Sequence, residues 1–68
     1  MNEVYIPTFW LEASSERLVN LTGRIQYDLE DGSLTEEYIN LRLGQLKWLE
    51  QQIPIAKARE LLLGETND

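Results

Sequence analysis

The sequence predicts an all-α fold: an antiparallel helical hairpin with an extended N-terminal arm and a C-terminal helical segment kinked at a proline. Three observations lead to this prediction. Apolar residues recur with helical spacing over most of the chain, Asp31-Gly32-Ser33 interrupts them once, and Pro54 falls inside the last helical stretch. Because the interrupting turn is short, the two long helices are expected to be antiparallel neighbours.

Residues 1–8 are predicted to form an extended arm. Val4, Tyr5 and Ile6 are residue types that favour extended backbone, and Pro7 disfavours a helix at the residue before it. The interpretation we favour packs Tyr5 and Ile6 on the helices. The alternatives are an arm that swaps or docks onto a partner, and an arm that frays.

Helix 1 is predicted over residues 9–30, with Thr8 as its N-cap and an alternative start at Ser14 or Ser15. It has one apolar stripe, which requires one partner. The stripe contains Leu11, Leu18, Leu21, Ile25 and Leu29.

Helix 2 is predicted over residues 34–53, and the rest of the chain is organised around it. Thr35 is its expected N-cap, because Glu36 and Glu37 then occupy the first turn, where the helix dipole favours negative charge. Ser33 with Glu36 offers an alternative capping box that would shift the start by two residues.

Two nearly opposed apolar stripes run along helix 2, so it is expected to lie between two partners. One stripe repeats through Ile39, Leu46 and Ile53, and the other through Leu34, Leu41, Trp48, Ile55 and Leu62.

Glycine and proline positions add detail to the hairpin. Gly32 is predicted to take the left-handed conformation that ends helix 1. The hairpin register places Gly44 opposite Leu21 and Gly23 opposite Arg42, so the two mid-helix glycines would form a notch for close helix approach or for a large side chain such as Trp48 of another subunit.

Pro54 is expected to kink helix 2 or to begin a third segment over residues 54–63, with a stop at Gly64 and a loose tail over 64–68.

Composition limits the possible functions. The chain has 68 residues, no cysteine, no histidine and a net charge of −6. We therefore expect one small domain without disulfides, metal or cofactor, and with no Cys–His or Ser–His pair for catalysis. The acidic balance disfavours nucleic acid as a partner. No apolar run is long enough to span a membrane, so a cytoplasmic protein is expected. Because the catalytic pairs are missing, the protein is expected not to be an enzyme.

A hairpin of this size buries little apolar surface, which favours assembly. We predict a homodimer that forms a helical bundle, or else a three-helix monomer in which residues 54–63 fold back. The predicted interface residues are Tyr5, Trp10, Leu41, Gly44, Trp48, Ile55 and Leu62.

The expected function is a protein–protein interaction module, such as a small adaptor, regulator or inhibitor, with an unidentified protein partner. The alternative is an acidic nucleic-acid mimic that blocks a basic partner.

The helix–turn–helix layout resembles two families of short helical hairpins. One is the Rop-type plasmid copy-number regulators, which are acidic hairpins that dimerise into a four-helix bundle, and this resemblance implies an RNA-binding helical dimer as a further alternative. The other is the small hairpin phosphatases of sporulation signalling, which carry a Ser-Gln-Glu-Leu-Asp motif in helix 2. Here the corresponding residues are Gly44-Gln45-Leu46-Lys47-Trp48, which lack that motif.

Overall fold

The structure is a computed structural model that describes residues 4–64, and within that range it contains three helices and no strand. α1 spans Thr8–Leu11, α2 spans Ser15–Asp28 and α3 spans Glu36–Leu63. The all-α prediction is therefore confirmed for this part of the chain. Predictions that concern residues 1–3 and 65–68 lie outside the described residues.

α3 begins after Thr35, the expected N-cap, and ends before Gly64, the expected stop. The Thr35 hydroxyl accepts a hydrogen bond of 3.1 Å from the Tyr38 backbone N–H, and Gly64 caps the other end with a φ of 69°. The helix continues through Pro54, so residues 54–63 extend helix 2 and do not fold back over it. At 1.5 Å per residue its 28 residues span about 42 Å. This is close to the 45 Å longest dimension of the molecule.

The structure corrects the single helix predicted over residues 9–30. It ends α1 at Leu11 and starts α2 at Ser15, which is one of the two alternative starts proposed above. Ser14 has extended backbone, and its hydroxyl accepts a hydrogen bond of 3.2 Å from the Arg17 backbone N–H. A serine that can bond nearby backbone groups favours a helix cap over a helix interior, which explains the break.

The turn after α2 also differs from the prediction at Gly32. Gly64 is the one glycine with positive φ among the described residues, so Gly32 does not take the left-handed conformation. Instead, the Asp31 carboxylate accepts hydrogen bonds from the Ser33 backbone N–H at 2.9 Å and from its hydroxyl at 2.8 Å. These two bonds stabilise the charged carboxylate and lower the pKa of Asp31.

The core lies where α1 and α2 pack on α3. It consists of Trp10, Leu18, Ile25, Leu49 and Ala56. Hydrogen bonds join both ends of α2 to α3. Ser15 donates to Glu60 near one end, and Asp28 accepts from Tyr38 and Arg42 near the other. α2 therefore accompanies α3 from its second turn almost to its end.

The predicted glycine notch is not present. A Cβ at Gly23 would meet nothing within 4 Å, so no helix approaches closely there. At Gly44 a Cβ would collide with the side chain of Val4. Gly44 is therefore needed for close contact with the N-terminal arm of the same chain, and Trp48 packs beside Trp10 of the same chain.

Candidate interaction surface

The first half of α3 is covered on one side by the chain's own N-terminal segment. Val4 lies against Gly44, and the Gln45 side-chain amide donates a hydrogen bond of 2.9 Å to the Tyr5 backbone carbonyl. Further along, the rings of Trp10 and Trp48 lie 6.2 Å apart, centroid to centroid. The sequence predicts two packing partners for helix 2, which corresponds to the first part of α3. In this half, the arm and α1 together form one of these partners.

α2 covers a second, adjacent side of α3. Its buried residues, Leu18 and Ile25, join the same cluster as Leu49, whose side chain is 0% exposed. Two apolar stripes therefore have two intramolecular partners along the first half of α3.

A chain of hydrogen bonds joins these three layers near the start of α3. The Tyr38 hydroxyl donates to Asp28 at 2.7 Å, and the Arg42 guanidinium donates to the Tyr38 hydroxyl, to Gln45 and to Asp28 at 2.9, 2.8 and 3.2 Å. Gln45 is only 3% exposed, but its oxygen and nitrogen both have partners, which removes the cost of burying an amide. No pattern in the sequence indicates this role of Gln45.

The last half of α3 presents an uncharged surface to solvent. Six residues at helical spacing share one face, and all six are exposed; we call them the outer face: Gln51, Pro54, Ile55, Ala58, Leu61 and Leu62. The exposure of Ile55, Leu61 and Leu62 is 50%, 72% and 87%. Large apolar side chains this exposed on one helix face are typical of an interaction site.

Leu63 adds to the exposed apolar end of α3. It follows Ala56 by seven residues and so continues the row that is buried under α1 and α2, but its own side chain is exposed. The reason is geometric: α2 begins at Ser15, which is bonded to Glu60, and α3 continues past that point.

The end of α3 is held in place by Glu60. Its carboxylate accepts two hydrogen bonds of 2.8 Å from Ser15, one from the backbone N–H and one from the hydroxyl. These bonds stabilise the charged form and lower the pKa of Glu60. The exposed leucines therefore belong to a helix that is anchored to the start of α2.

The residues predicted for an interface fall into two groups. Tyr5, Trp10, Leu41, Gly44 and Trp48 belong to the arm, to α1 and to the first half of α3, and Ile55 and Leu62 belong to the outer face. Trp10 is buried in the core of its own chain, whereas the Tyr5 side chain is exposed while its carbonyl is bonded to Gln45. Their contact with a partner stays a prediction. Leu61 and Ala58 were missed, although the Leu61-Leu62-Leu63 run before Gly64 was a usable signal.

A concave region lies beside α2. It is an open depression of about 840 Å³, lined by Asn20, Gly23, Arg24, Tyr27, Asp28 and Arg42. Its lining contains no nucleophile paired with a base, and Arg42 is already engaged by Asp28. Within residues 4–64, no group of three or more metal-ligating side chains comes together.

Comparison of this chain with models of protein families, with curated proteins and with solved structures finds no match. None of the helices among the described residues is long and apolar enough to cross a membrane. The candidate interaction surface therefore rests on the exposed apolar residues of the outer face alone.

Proposed function

We propose that this chain is a non-enzymatic protein–protein interaction module of the cytoplasm, a small regulator, adaptor or inhibitor that docks through the outer face of α3. The observation that supports this proposal is the exposure of Leu61 and Leu62, at 72% and 87%. Leaving a leucine in water forgoes about 1.5–3 kcal/mol of burial free energy. A partner that covers both leucines would recover much of it.

Two features support a docking role over a frayed helix end. Gly64 ends α3 in the left-handed conformation typical of a helix C-cap, and Glu60 anchors the last turns to Ser15. A partner therefore meets a preformed helix, and ordering this segment adds little to the entropy lost on binding.

The proposal includes the finer architecture expected from the sequence. We infer that α2 and α3 form a helical hairpin and that α3 bends at Pro54, because a proline ring inside a helix removes one backbone hydrogen bond. Pro54 itself is exposed and lies on the outer face. Such a bend would turn the outer face relative to the half of α3 that the arm covers.

The test compares the proteins that the chain retains from an extract of the cells that produce it. Leu61→Ser/Leu62→Ser should lose the specific partner and keep the same helical circular dichroism, because neither leucine is buried. The matched control is Val19→Ser/Tyr27→Ser, which changes two exposed apolar residues on α2 and should keep the partner. Retention by the leucine variant, or equal loss from both variants, would contradict the proposal.

A homodimer is the second candidate, and the row that contains Ile55 and Leu62 favours it. Both side chains are exposed and lie seven residues apart on one helix face. Light scattering over a hundredfold dilution would show a dimer that Leu62→Glu dissociates. A constant monomer mass would rule out this candidate and leave the interaction module with a different partner.

A further inference from the structure

The outer face specifies the chemistry of its partner through the charges at its edges. We propose that its occupant is an amphipathic helix whose apolar stripe is bordered by carboxylates, and that it is not a second copy of this chain. This inference rests on the proposed docking role of the outer face.

The dimensions of the outer face fit a helix. It extends over residues 51–62, which is about 17 Å, or three helical turns. Its members recur at intervals of three and four residues, the spacing with which one helix packs along another. Ala58 lies at its centre, where a small side chain lets the backbones of two helices approach closely.

Positive charge borders the outer face on both sides. Lys57 and Arg59 lie on opposite sides of Ala58, each about 100° around the helix from the centre of the face, and both are exposed. Among the described acids nearby, Glu60 is bonded to Ser15 on the side of α3 away from this face, although the charges of Arg59 and Lys57 reach it and help to lower its pKa. Glu50 shares the edge of Lys57 but lies two turns earlier, at the start of the face. The middle and the end of the face therefore have cationic edges in a chain with a net charge of −6.

Two copies would bring these cations together. The middle of residues 51–62 lies next to Lys57. In an antiparallel pair whose twofold axis passes through this middle point, Lys57 and Arg59 lie near Lys57 and Arg59 of the second copy. A parallel pairing puts identical residues at the same level and has the same effect. Like charges facing one another across a helix pair oppose association, whereas carboxylates at these positions favour it.

Nucleic acid is a poorer fit to the same edges. Its phosphates would satisfy Lys57 and Arg59, but Ile55, Leu61 and Leu62 would then meet a charged backbone. A helix with acidic edges satisfies both the cations and the apolar residues between them.

A charge-reversed copy of the chain supplies the acidic-edged helix for the test. Lys57→Glu/Arg59→Glu keeps the outer face and reverses its edges, so wild type and this variant should form a 1:1 complex by light scattering. Each protein alone should stay monomeric. Raising the salt from about 0.1 M to about 0.5 M should weaken the complex about tenfold, because the edge charges are partly exposed.

Two control variants keep the result specific. Arg17→Glu/Arg24→Glu has the same net charge as the reversed copy, but its changes lie on exposed residues of α2, and it should form no complex with wild type. Adding Leu61→Ser/Leu62→Ser to the charge-reversed copy should abolish the complex. Circular dichroism of each variant confirms that it is folded before mixing.

The possible results separate this inference from the proposed function. Wild type that dimerises alone and dissociates with Leu61→Ser/Leu62→Ser would overturn the acidic partner but keep the docking face. No complex in the mixture, or an equal complex with the α2 control, would also overturn the acidic partner, and the extract experiment would still decide the docking role. Binding of a single-stranded RNA oligonucleotide that needs Lys57 and Arg59, but not the leucines, would assign these edges to nucleic acid instead.

Discussion

The first and last halves of α3 contain similar residues, yet the first half is covered on two sides and the last half leaves its outer face bare. Trp48 and Ile55 belong to the same heptad row, but Trp48 packs beside Trp10 whereas Ile55 is half exposed. The difference arises outside α3: the arm and α1 lie along the first half, and the chain then turns at Ser14 into α2. Along this row, the same helical pattern thus serves folding at Trp48 and is available for binding at Ile55.

The coverage of α3 by the N-terminal segment shows how a chain this small obtains a core. A helix with two apolar stripes needs two partners, and a second subunit is one way to supply the second. Here residues 4–13 supply it for the first half of α3, through Val4, Ile6 and Trp10. A homodimer is therefore not required to cover Trp48, which packs beside Trp10 of its own chain.

Trp10 gives the largest expected effect, because it covers the first half of α3. Trp10→Ala should destabilise the fold by about 3–5 kcal/mol, since the side chain is buried against Trp48. That is comparable to the whole stability of a small domain, so the variant should be largely unfolded in urea titrations monitored by circular dichroism. Its neighbour Phe9 is more than half exposed, and Phe9→Ala should cost about 1 kcal/mol. Equal costs for the two would contradict the role given to α1.

The two mid-helix glycines should respond oppositely to alanine. Gly23→Ala should stabilise by about 0.5–1 kcal/mol, because alanine is the better helix former and the site is open. At Gly44 the new Cβ would displace Val4, so the gain in helix propensity should be cancelled or reversed. Thermal unfolding gives both values, and the Val4 methyl resonances should shift in Gly44→Ala alone. A full stabilisation in Gly44→Ala would show that the arm does not pack there.

Glu60 should make a smaller, pH-dependent contribution. Because the bonds from Ser15 lower its folded-state pKa below 4.5, its stabilisation is present above that value and is lost as the pH falls through the lowered pKa. Glu60→Gln should therefore lower the unfolding midpoint more at about pH 7 than at about pH 3. Other carboxylates titrate in both proteins and cancel in the difference. A midpoint difference that is the same at both pH values would show that the ionised carboxylate does not anchor α3.

Local signals in the sequence predicted the helix ends of α3 well. Thr35, followed by two glutamates, and Gly64, after a run of leucines, each fix a terminus through contacts within a few residues. The break before α2 was harder, because Leu11 and Leu18 continue one heptad across it while only the serine pair favours a cap. The heptad spacing favours one continuous helix and the serines favour a helix start, and the structure has the helix start.

The covering of α3 depended on contacts far apart in sequence. The contact of Val4 with Gly44 and the bond from Gln45 to the Tyr5 carbonyl join residues some forty positions apart. No periodicity encodes which side of α3 the arm will follow. Heptad spacing therefore identified Ile55 and Leu62 as candidates for binding, but it could not distinguish them from Trp48, which packs beside Trp10 of the same chain.

The most direct test of the account is the free energy of unfolding of Leu61→Ser/Leu62→Ser, measured by urea titration beside wild type at the same protein concentration. If the outer face is bare in the free chain, the two values should agree within about 0.5 kcal/mol, as for exposed substitutions generally. A loss of about 2 kcal/mol or more would mean that these leucines are already covered, by this chain or by a second copy, and would contradict an outer face that is free to dock.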